Sequence, residues 1–132
     1  MKHAITGARV VLGLIFVVYG LNGFFRFIPT PEMNEEAAAF MGALAATGYF
    51  MIVEKAVEVV AGFMILTGRF LPLGLILLAP ISVNILLFHL FLDPGGLPVA
   101  ILVVVLQGFL AWAYRDSFRG VLRADAKPTD VE

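Results

Sequence analysis

The chain has 132 residues, of which 61% are hydrophobic and 14% are charged, and its formal net charge is −1. Soluble domains carry about 25% charged residues, so this composition indicates a membrane protein. Because the chain has no Cys, disulfides, thiol redox chemistry and cysteine-bound iron–sulfur or zinc sites are excluded. The near-neutral charge, with basic residues clustered only in a short C-terminal run, argues against a nucleic-acid partner.

The first predicted span covers about residues 5–27 and follows a short basic head. A secretory signal peptide is the alternative interpretation. However, the apolar run over residues 10–25 is longer than a signal core of about 7–15 residues, and no clear A-x-A cleavage site closes it. Gly13, Gly20 and Gly23 are small enough to let a neighbouring helix approach closely.

A short helix is predicted after the first span, because Pro29 and Pro31 break the helical pattern. Either Thr30 or Asn34 can cap the new helix, which covers about residues 31–47. This helix is too short and too rich in small residues to cross a membrane. We expect an interfacial or re-entrant helix that covers the mouth of the bundle.

The second predicted span, residues 49–66, has three charged residues in its first half: Glu54, Lys55 and Glu58. A water-facing start of the helix explains the first two of them. It does not explain Glu58, which lies about 12 Å along the helix. A carboxyl group at that depth needs a cation partner or a bound proton.

The third predicted span, residues 70–92, contains no Asp, Glu, Lys or Arg and is long enough to cross a hydrocarbon core of about 30 Å. Its apolar run nevertheless includes Ser82, Asn84 and His89, and Asp93 follows at its end. Polar groups in lipid usually face protein or water. We therefore expect the other helices to pack around this one.

The fourth predicted span covers residues 97–114, with Gln107 near its middle, and follows a DPGG turn. After it, the chain is predicted to begin as a basic juxtamembrane helix. Residues 1–119 then form one membrane domain, and residues 120–132 form a polar tail.

The predicted fold is all-α: a four-helix transmembrane bundle with a short interfacial or re-entrant helix between helices 1 and 2. One side of the membrane receives seven basic residues: Lys2, Arg9, Arg69, Arg115, Arg119, Arg123 and Lys127. The other side receives Arg26 and Lys55. The positive-inside rule predicts a bacterial inner-membrane protein with both termini in the cytoplasm and the short helix outside.

This topology places several polar side chains in the outer half of the bundle. The predicted ligand pocket consists of Asn22, Arg26, Glu54, Glu58, Asn84 and His89. Intramembrane ionisable residues tend to mark ligand or proton paths. We expect Glu58 to be within direct or one-water hydrogen-bonding reach of at least one of Asn22, Arg26, Asn84 or His89. The alternative is a structural role, in which a paired charge fixes helix register. No catalytic residue and no metal site is predicted.

Two stretches of the chain resemble the DoxX family of small four-helix bacterial membrane proteins: ARVVLGLIFVVYGLNGFFRF and EVVAGFMILTGRFLPLGLILLAPISVNILLFHLFLDP. The resemblance covers roughly residues 8–119. Its specific parts are Gly20 to Gly23, Glu58 with Gly62, Gly68 with Arg69, and Asn84 with His89. Many relatives carry a lysine where this chain has Gly23 and Phe24, which leaves Arg26 as the nearby cation.

The resemblance implies an accessory to membrane redox or oxidative-stress chemistry, because the family includes or resembles membrane subunits tied to thiosulfate:quinone oxidoreduction. A quinone, held without a covalent bond, is then the expected ligand, and a membrane or soluble redox protein is the expected partner. His3 and His89 lie on opposite sides of the predicted membrane, so they cannot form a haem ligand pair. Two alternatives stay open: an assembly or interaction module, and a small proton-coupled carrier that would need to form a homo-oligomer.

Overall fold

The computed structural model describes residues 1–130, and this part of the chain is entirely helical, without a β-strand. The five α-helices are α1 (Lys2–Phe25), α2 (Glu35–Ala46), α3 (Phe50–Thr67), α4 (Leu71–Phe91) and α5 (Leu97–Ala113). Two short 3₁₀ helices, Pro94–Gly96 and Arg115–Phe118, flank α5. The all-α prediction is therefore confirmed.

Three helical segments are long and apolar enough to cross a membrane: Lys2–Phe25, Leu71–Phe91 and Pro94–Ala113. These segments correspond to α1, to α4, and to α5 together with the preceding 3₁₀ helix. Helix α3 is not among them, although it has 18 residues, because it carries three charged side chains.

The four longest helices contact one another in a closed ring, in which α1 and α4 each touch both α3 and α5. Every helix of the ring contributes to one hydrophobic core. The largest fully buried side chains are Phe16, Leu12, Ile65, Leu71, Leu78 and Leu110. Helix α2 lies outside this core and buries only Ala37.

Glycines bring α1 and α3 into close contact, as the sequence predicted for α1. A Cβ atom added to Gly13 would lie 2.8 Å from the backbone nitrogen of Leu66, and one added to Gly62 would lie 2.9 Å from that of Val17. Gly20 lies further along the same interface. A side chain at these positions would push the two backbones apart, so the interface depends on their absence.

The end of α3 is held by a side chain from α1. Arg9 donates hydrogen bonds to the carbonyl oxygens of Ile65, at 3.3 Å, and Leu66, at 3.2 Å. The last carbonyls of a helix have no partner within the helix, and a cationic donor there also opposes the negative end of the helix dipole. Gly68 then ends α3 with φ of 78°, a conformation that glycine adopts without strain.

Two details of the sequence prediction are now decided. Asn34, rather than Thr30, caps α2, because its side chain accepts a hydrogen bond of 2.8 Å from the backbone N–H of Ala37. The predicted juxtamembrane helix is a single 3₁₀ helix followed by turns, in a segment where Asp116, Ser117 and Gly120 favour turns. The tail prediction also covered residues 131 and 132, which lie outside the described residues.

The outer surface of the ring is strongly apolar. Large hydrophobic side chains are exposed on each of its helices, among them Leu14, Phe63, Leu73 and Val105. Soluble monomers rarely expose continuous apolar surface of this extent. This surface suits contact with lipid, where every backbone polar group must be satisfied inside the helices.

We expect Gly62→Ala to destabilise the protein by about 1–3 kcal/mol, because the new methyl group overlaps the backbone of α1. Thermal unfolding in detergent measures the change. Gly108→Ala in α5 is the matched control, since a Cβ atom there meets nothing within 4 Å. The control should leave stability unchanged or raise it slightly, as Ala favours helices over Gly. Equal destabilisation by both variants would contradict the close α1–α3 contact.

Candidate functional site

Glu58 is the charged side chain most deeply buried in the described part of the chain, with 2% of its surface exposed. It lies in α3 at the contact with α1, where its Cβ atom would be 3.2 Å from a Cβ atom added to Gly20. Its Oε2 atom lies 3.0 Å from the Nζ atom of Lys55, one helical turn earlier. The carboxylate is therefore buried but paired.

Lys55 links two carboxylates and contacts the neighbouring helix. Its Nζ atom also lies 3.8 Å from the Oε2 atom of Glu54. The methylene stem of Lys55 packs against Gly23 of α1, where any Cβ atom would overlap it. We call Glu54, Lys55 and Glu58 the α3 ion cluster. Sequence reasoning assigned Lys55 to a water-facing helix start, although its spacing of three residues from Glu58 could have indicated the pair.

The direct partner of Glu58 comes from α3 itself and is not one of the four residues expected on other helices. Among the described residues, no hydrogen bond or ion pair links Glu58 to Asn22, Arg26, Asn84 or His89. A partner three residues away in the same helix needs no exact docking of a second helix. Each of the four expected partners has a different environment.

Asn22 and Arg26 shape the end of α1. The Oδ1 atom of Asn22 accepts a hydrogen bond of 2.7 Å from the N–H of Ile28, and its carbonyl accepts one of 2.8 Å from the N–H of Arg26. Arg26 itself has left-handed backbone angles, with φ of 51° and ψ of 49°. Asn22 thus stabilises the turn that positions Arg26.

His89 belongs to a second polar group, at the end of α4. Its Nδ1 atom lies 3.5 Å from Asp93 Oδ2 and 3.1 Å from the carbonyl oxygen of Asp93. The imidazole ring packs edge-on against Phe88 and fills the space beside Gly96. His89 and Asp93 therefore pack together at the connection between α4 and α5.

Asn84 is exposed on α4, whereas Ser82, two residues earlier, is buried. Ser82 donates a hydrogen bond to the side-chain oxygen of Gln107 in α5, and the amide nitrogen of Gln107 donates to the carbonyl oxygen of Leu75 at 3.0 Å. Two residues correspond to about 200° around a helix, so the two side chains point in nearly opposite directions. The buried polar contact between α4 and α5 is therefore made by Ser82 and Gln107.

A cavity of about 210 Å³ lies where α1, α2 and α3 meet, and we call it the α2-side cavity. Its lining residues are Gly23, Phe24, Arg26, Ala45, Gly48, Met51 and Ile52. Gly23 is shared, because it lines the cavity and also contacts the stem of Lys55. The cavity is thus adjacent to the α3 ion cluster and has a guanidinium group in its lining.

Helix α2 lies across this end of the ring. Near its beginning, Asn34 donates a hydrogen bond of 2.5 Å to the carbonyl oxygen of Leu92, and Phe40 packs on Phe88 with ring centroids 5.7 Å apart. Near its end, Ala45 lines the cavity. The helix therefore reaches from the end of α4 to the contact between α1 and α3.

No group of three or more His, Cys, Asp or Glu side chains that could hold a metal ion occurs within residues 1–130. Arg26 is the one ionisable residue in the lining of the α2-side cavity, and the α3 ion cluster adjoins the cavity through Gly23.

The fold and these polar groups define a small helical membrane protein with an ion cluster at one end of its helical ring. The DoxX family model matches residues 4–90, and the chain belongs to the DoxX family. The chain is also similar to the uncharacterized protein YwoB of Bacillus subtilis (strain 168), with 33% identity over 127 residues that cover 89% of this chain and 80% of YwoB. No solved structure matches.

We expect Lys55→Met to destabilise the protein by up to about 3–5 kcal/mol, the range for removing one partner of a buried ion pair, with partial exposure of Lys55 reducing the effect. Thermal unfolding in detergent at neutral pH measures it. The double variant Lys55→Met/Glu58→Gln should recover much of the loss, because no uncompensated charge then stays buried.

The control for this pair is Arg119→Gln, which breaks the exposed ion pair with Asp116. Exposed pairs contribute about 0–1 kcal/mol, so little change is expected. If Lys55→Met is as mild as this control, the pairing of Glu58 by Lys55 is not what stabilises the buried carboxylate.

Proposed function

We propose that this DoxX family protein crosses the bacterial inner membrane four times, through α1, α3, α4 and α5. Helix α3 completes the ring between α1 and α4, and its buried carboxylate is paired with Lys55. Because its charged residues are paired with one another, α3 can cross the membrane as part of the bundle. With seven basic residues on one side and two on the other, the positive-inside rule places both termini in the cytoplasm and α2 outside.

Reporter fusions test this topology. A fusion after residue 130 is expected to report the cytoplasm, and a fusion in the turn at residues 94–96 is expected to report the periplasm. A further fusion at Arg69 should match the C-terminal one, because the positive-inside rule puts both on the same side. If the fusions at Arg69 and at residues 94–96 report the same side, α4 does not cross the membrane as proposed.

We infer that the α2-side cavity binds the head group of a lipid-soluble small molecule, with a quinone as the best candidate, and that the protein is an accessory to membrane redox chemistry. The observation that carries this proposal is the position of the α3 ion cluster directly behind Gly23, which lines the cavity. A buried ion pair beside a cavity combines a proton donor with a proton acceptor, whereas a purely structural pair needs no adjoining space.

The chemistry of the side chains fits a quinone head group. Arg26 lines the cavity and has N–H donors for a carbonyl oxygen. Lys55 and Glu58 do not line it, and we propose that the head group reaches past Gly23 to them, with Glu58 accepting a hydrogen bond from a hydroxyl group. Phe24, Met51 and Ile52 supply apolar contacts for a ring. The cavity is smaller than the range of about 300–1,000 Å³ for sites that enclose whole drug-sized ligands, so it suits a head group whose tail stays in the bilayer.

The protein residues would bind and orient the ligand, and a quinone would supply the electron transfer when bound. A membrane or soluble redox protein is then needed to exchange electrons with it. Asn84 and His89 stay predicted pocket residues without a contact to the cavity. The assembly module and the proton-coupled carrier are the competing outcomes of the test below.

The test measures binding of a short-tailed benzoquinone to the purified full-length protein in lipid nanodiscs. We expect saturable binding of both the quinone and its reduced quinol form by the wild type, and Glu58→Gln should weaken quinol binding by at least tenfold, because the quinol hydroxyl loses the carboxylate that accepts its hydrogen bond. Glu36→Gln makes the same chemical change on an exposed surface of α2 and should bind like the wild type. Thermal unfolding of each variant shows whether the fold is retained.

Absence of saturable quinone binding would overturn the proposal. Stable co-purification of a stoichiometric membrane subunit without any bound lipophile would then favour the assembly module. Proton-coupled uptake into liposomes that depends on Glu58 would favour the carrier.

A further inference from the structure

A second cavity, of about 380 Å³, lies between α4 and α5 at the opposite end of the helical ring, and we call it the C-terminal cavity. Its lining residues are Leu75, Ile76, Ala79, Gln107, Ala111, Arg115, Phe118, Val121 and Leu122. It shares no lining residue with the α2-side cavity. The function proposed above does not use it.

The interior of the C-terminal cavity suits hydrocarbon. Its one polar side chain away from the mouth, Gln107, is only 9% exposed and already bonded through both ends of its amide, to Ser82 and to the carbonyl oxygen of Leu75. Because the amide is satisfied, the interior offers no polar group that needs a ligand. Apart from Arg115, the remaining lining consists of apolar side chains, aliphatic except for Phe118, and these interact favourably with an acyl chain.

The mouth of the cavity is cationic. Arg115 stacks over the ring of Trp112 at 4.9 Å and donates one hydrogen bond of 2.9 Å to the carbonyl oxygen of Trp112. A guanidinium group has five N–H donors, and the structure of residues 1–130 gives no other hydrogen bond for this one. Residues 115–123, the segment that contains the mouth, include three Arg and one Asp and therefore carry a net positive charge.

Apolar side chains lie beside these arginines. Val121 and Leu122 line the cavity, yet they are 70% and 78% exposed. A basic segment with exposed aliphatic side chains is typical of the interface between lipid head groups and acyl chains. From Gln107 to the end of α5 at Ala113 is six residues, or about 9 Å along the helix, which is a depth that part of an acyl chain can occupy.

We propose that the C-terminal cavity binds an anionic glycerophospholipid of the surrounding bilayer, with one acyl chain between α4 and α5 and the phosphate at Arg115. The apolar interior and the cationic mouth are complementary to the two parts of such a lipid. The assignment to the cytoplasmic leaflet rests on the proposed topology. The site itself is independent of the ligand proposed for the α2-side cavity.

The experiment uses the full chain in nanodiscs of equal parts phosphatidylglycerol and phosphatidylcholine, and native mass spectrometry measures the lipid that stays bound. We expect the wild type to retain one phosphatidylglycerol in preference to phosphatidylcholine. Arg115→Gln should lower this preference about fivefold, which corresponds to about 1 kcal/mol for one basic residue near a membrane surface. Arg115→Lys keeps the charge and should retain the preference.

Two matched controls separate the cavity from general surface effects. Arg119→Gln removes the same charge from a side chain that is exposed and does not line the cavity. Ala79→Leu fills the cavity from α4 and should abolish retention of either lipid, whereas Ala56→Leu adds the same atoms to an exposed position on α3. Thermal unfolding shows that each variant is folded.

Equal retention of the two lipids by the wild type would overturn the proposal. So would an equal effect of Arg115→Gln and Arg119→Gln, which would show an unspecific attraction of anionic lipid. Undiminished retention by a folded Ala79→Leu variant would show that the lipid binds elsewhere. None of these results bears on quinone binding, so the two proposals fail separately.

Discussion

The burial of a carboxylate between two closely packed helices is the constraint on which the rest of this structure depends. Glu58 lies at the α1–α3 contact, where little water can reach it, and removing an ion from water costs several kcal/mol. Lys55 offsets this loss with a contact of 3.0 Å. The lysine stem reaches that position only because Gly23 of α1 has no side chain. The absence of a side chain at Gly23 therefore allows the ion pair. The ion pair in turn allows α3, which carries charged residues, to be one of the four helices of an otherwise apolar ring.

The two ends of the helical ring carry side chains of different chemistry. At the end near α2, the ion cluster and Arg26 adjoin a small cavity covered by Ala45 of α2. At the other end, a larger cavity has apolar walls and a single arginine, Arg115, at its mouth. We propose the first as the site of a polar head group and the second as the site of a lipid chain with an anionic head. The amide of Gln107, which lines the second cavity, is already bonded to Ser82 and to the carbonyl oxygen of Leu75.

Helix positions could be predicted from the sequence because they follow from runs of apolar residues and from local breakers. The proline pair before α2 and the glycine after α3 end helices through backbone geometry, which depends on neighbouring residues alone. The role of Gly13 in close packing was also predictable, since small residues in an apolar helix have few other uses. The family could be recognised from the same local segments, and the match over residues 4–90 confirms it.

The partners of the polar side chains were decided only by the tertiary structure. The sequence determined that Asn22, Glu58, Asn84 and His89 are polar residues in or near apolar helices, and their common side of the membrane suggested one pocket. Rotation of each helix about its axis separates them: Asn84 is exposed and His89 turns to Asp93. That rotation is set by packing against neighbouring helices, which hydropathy does not record. The sequence therefore determined which helices form, and the packing of α1 against α3 decided which charges meet.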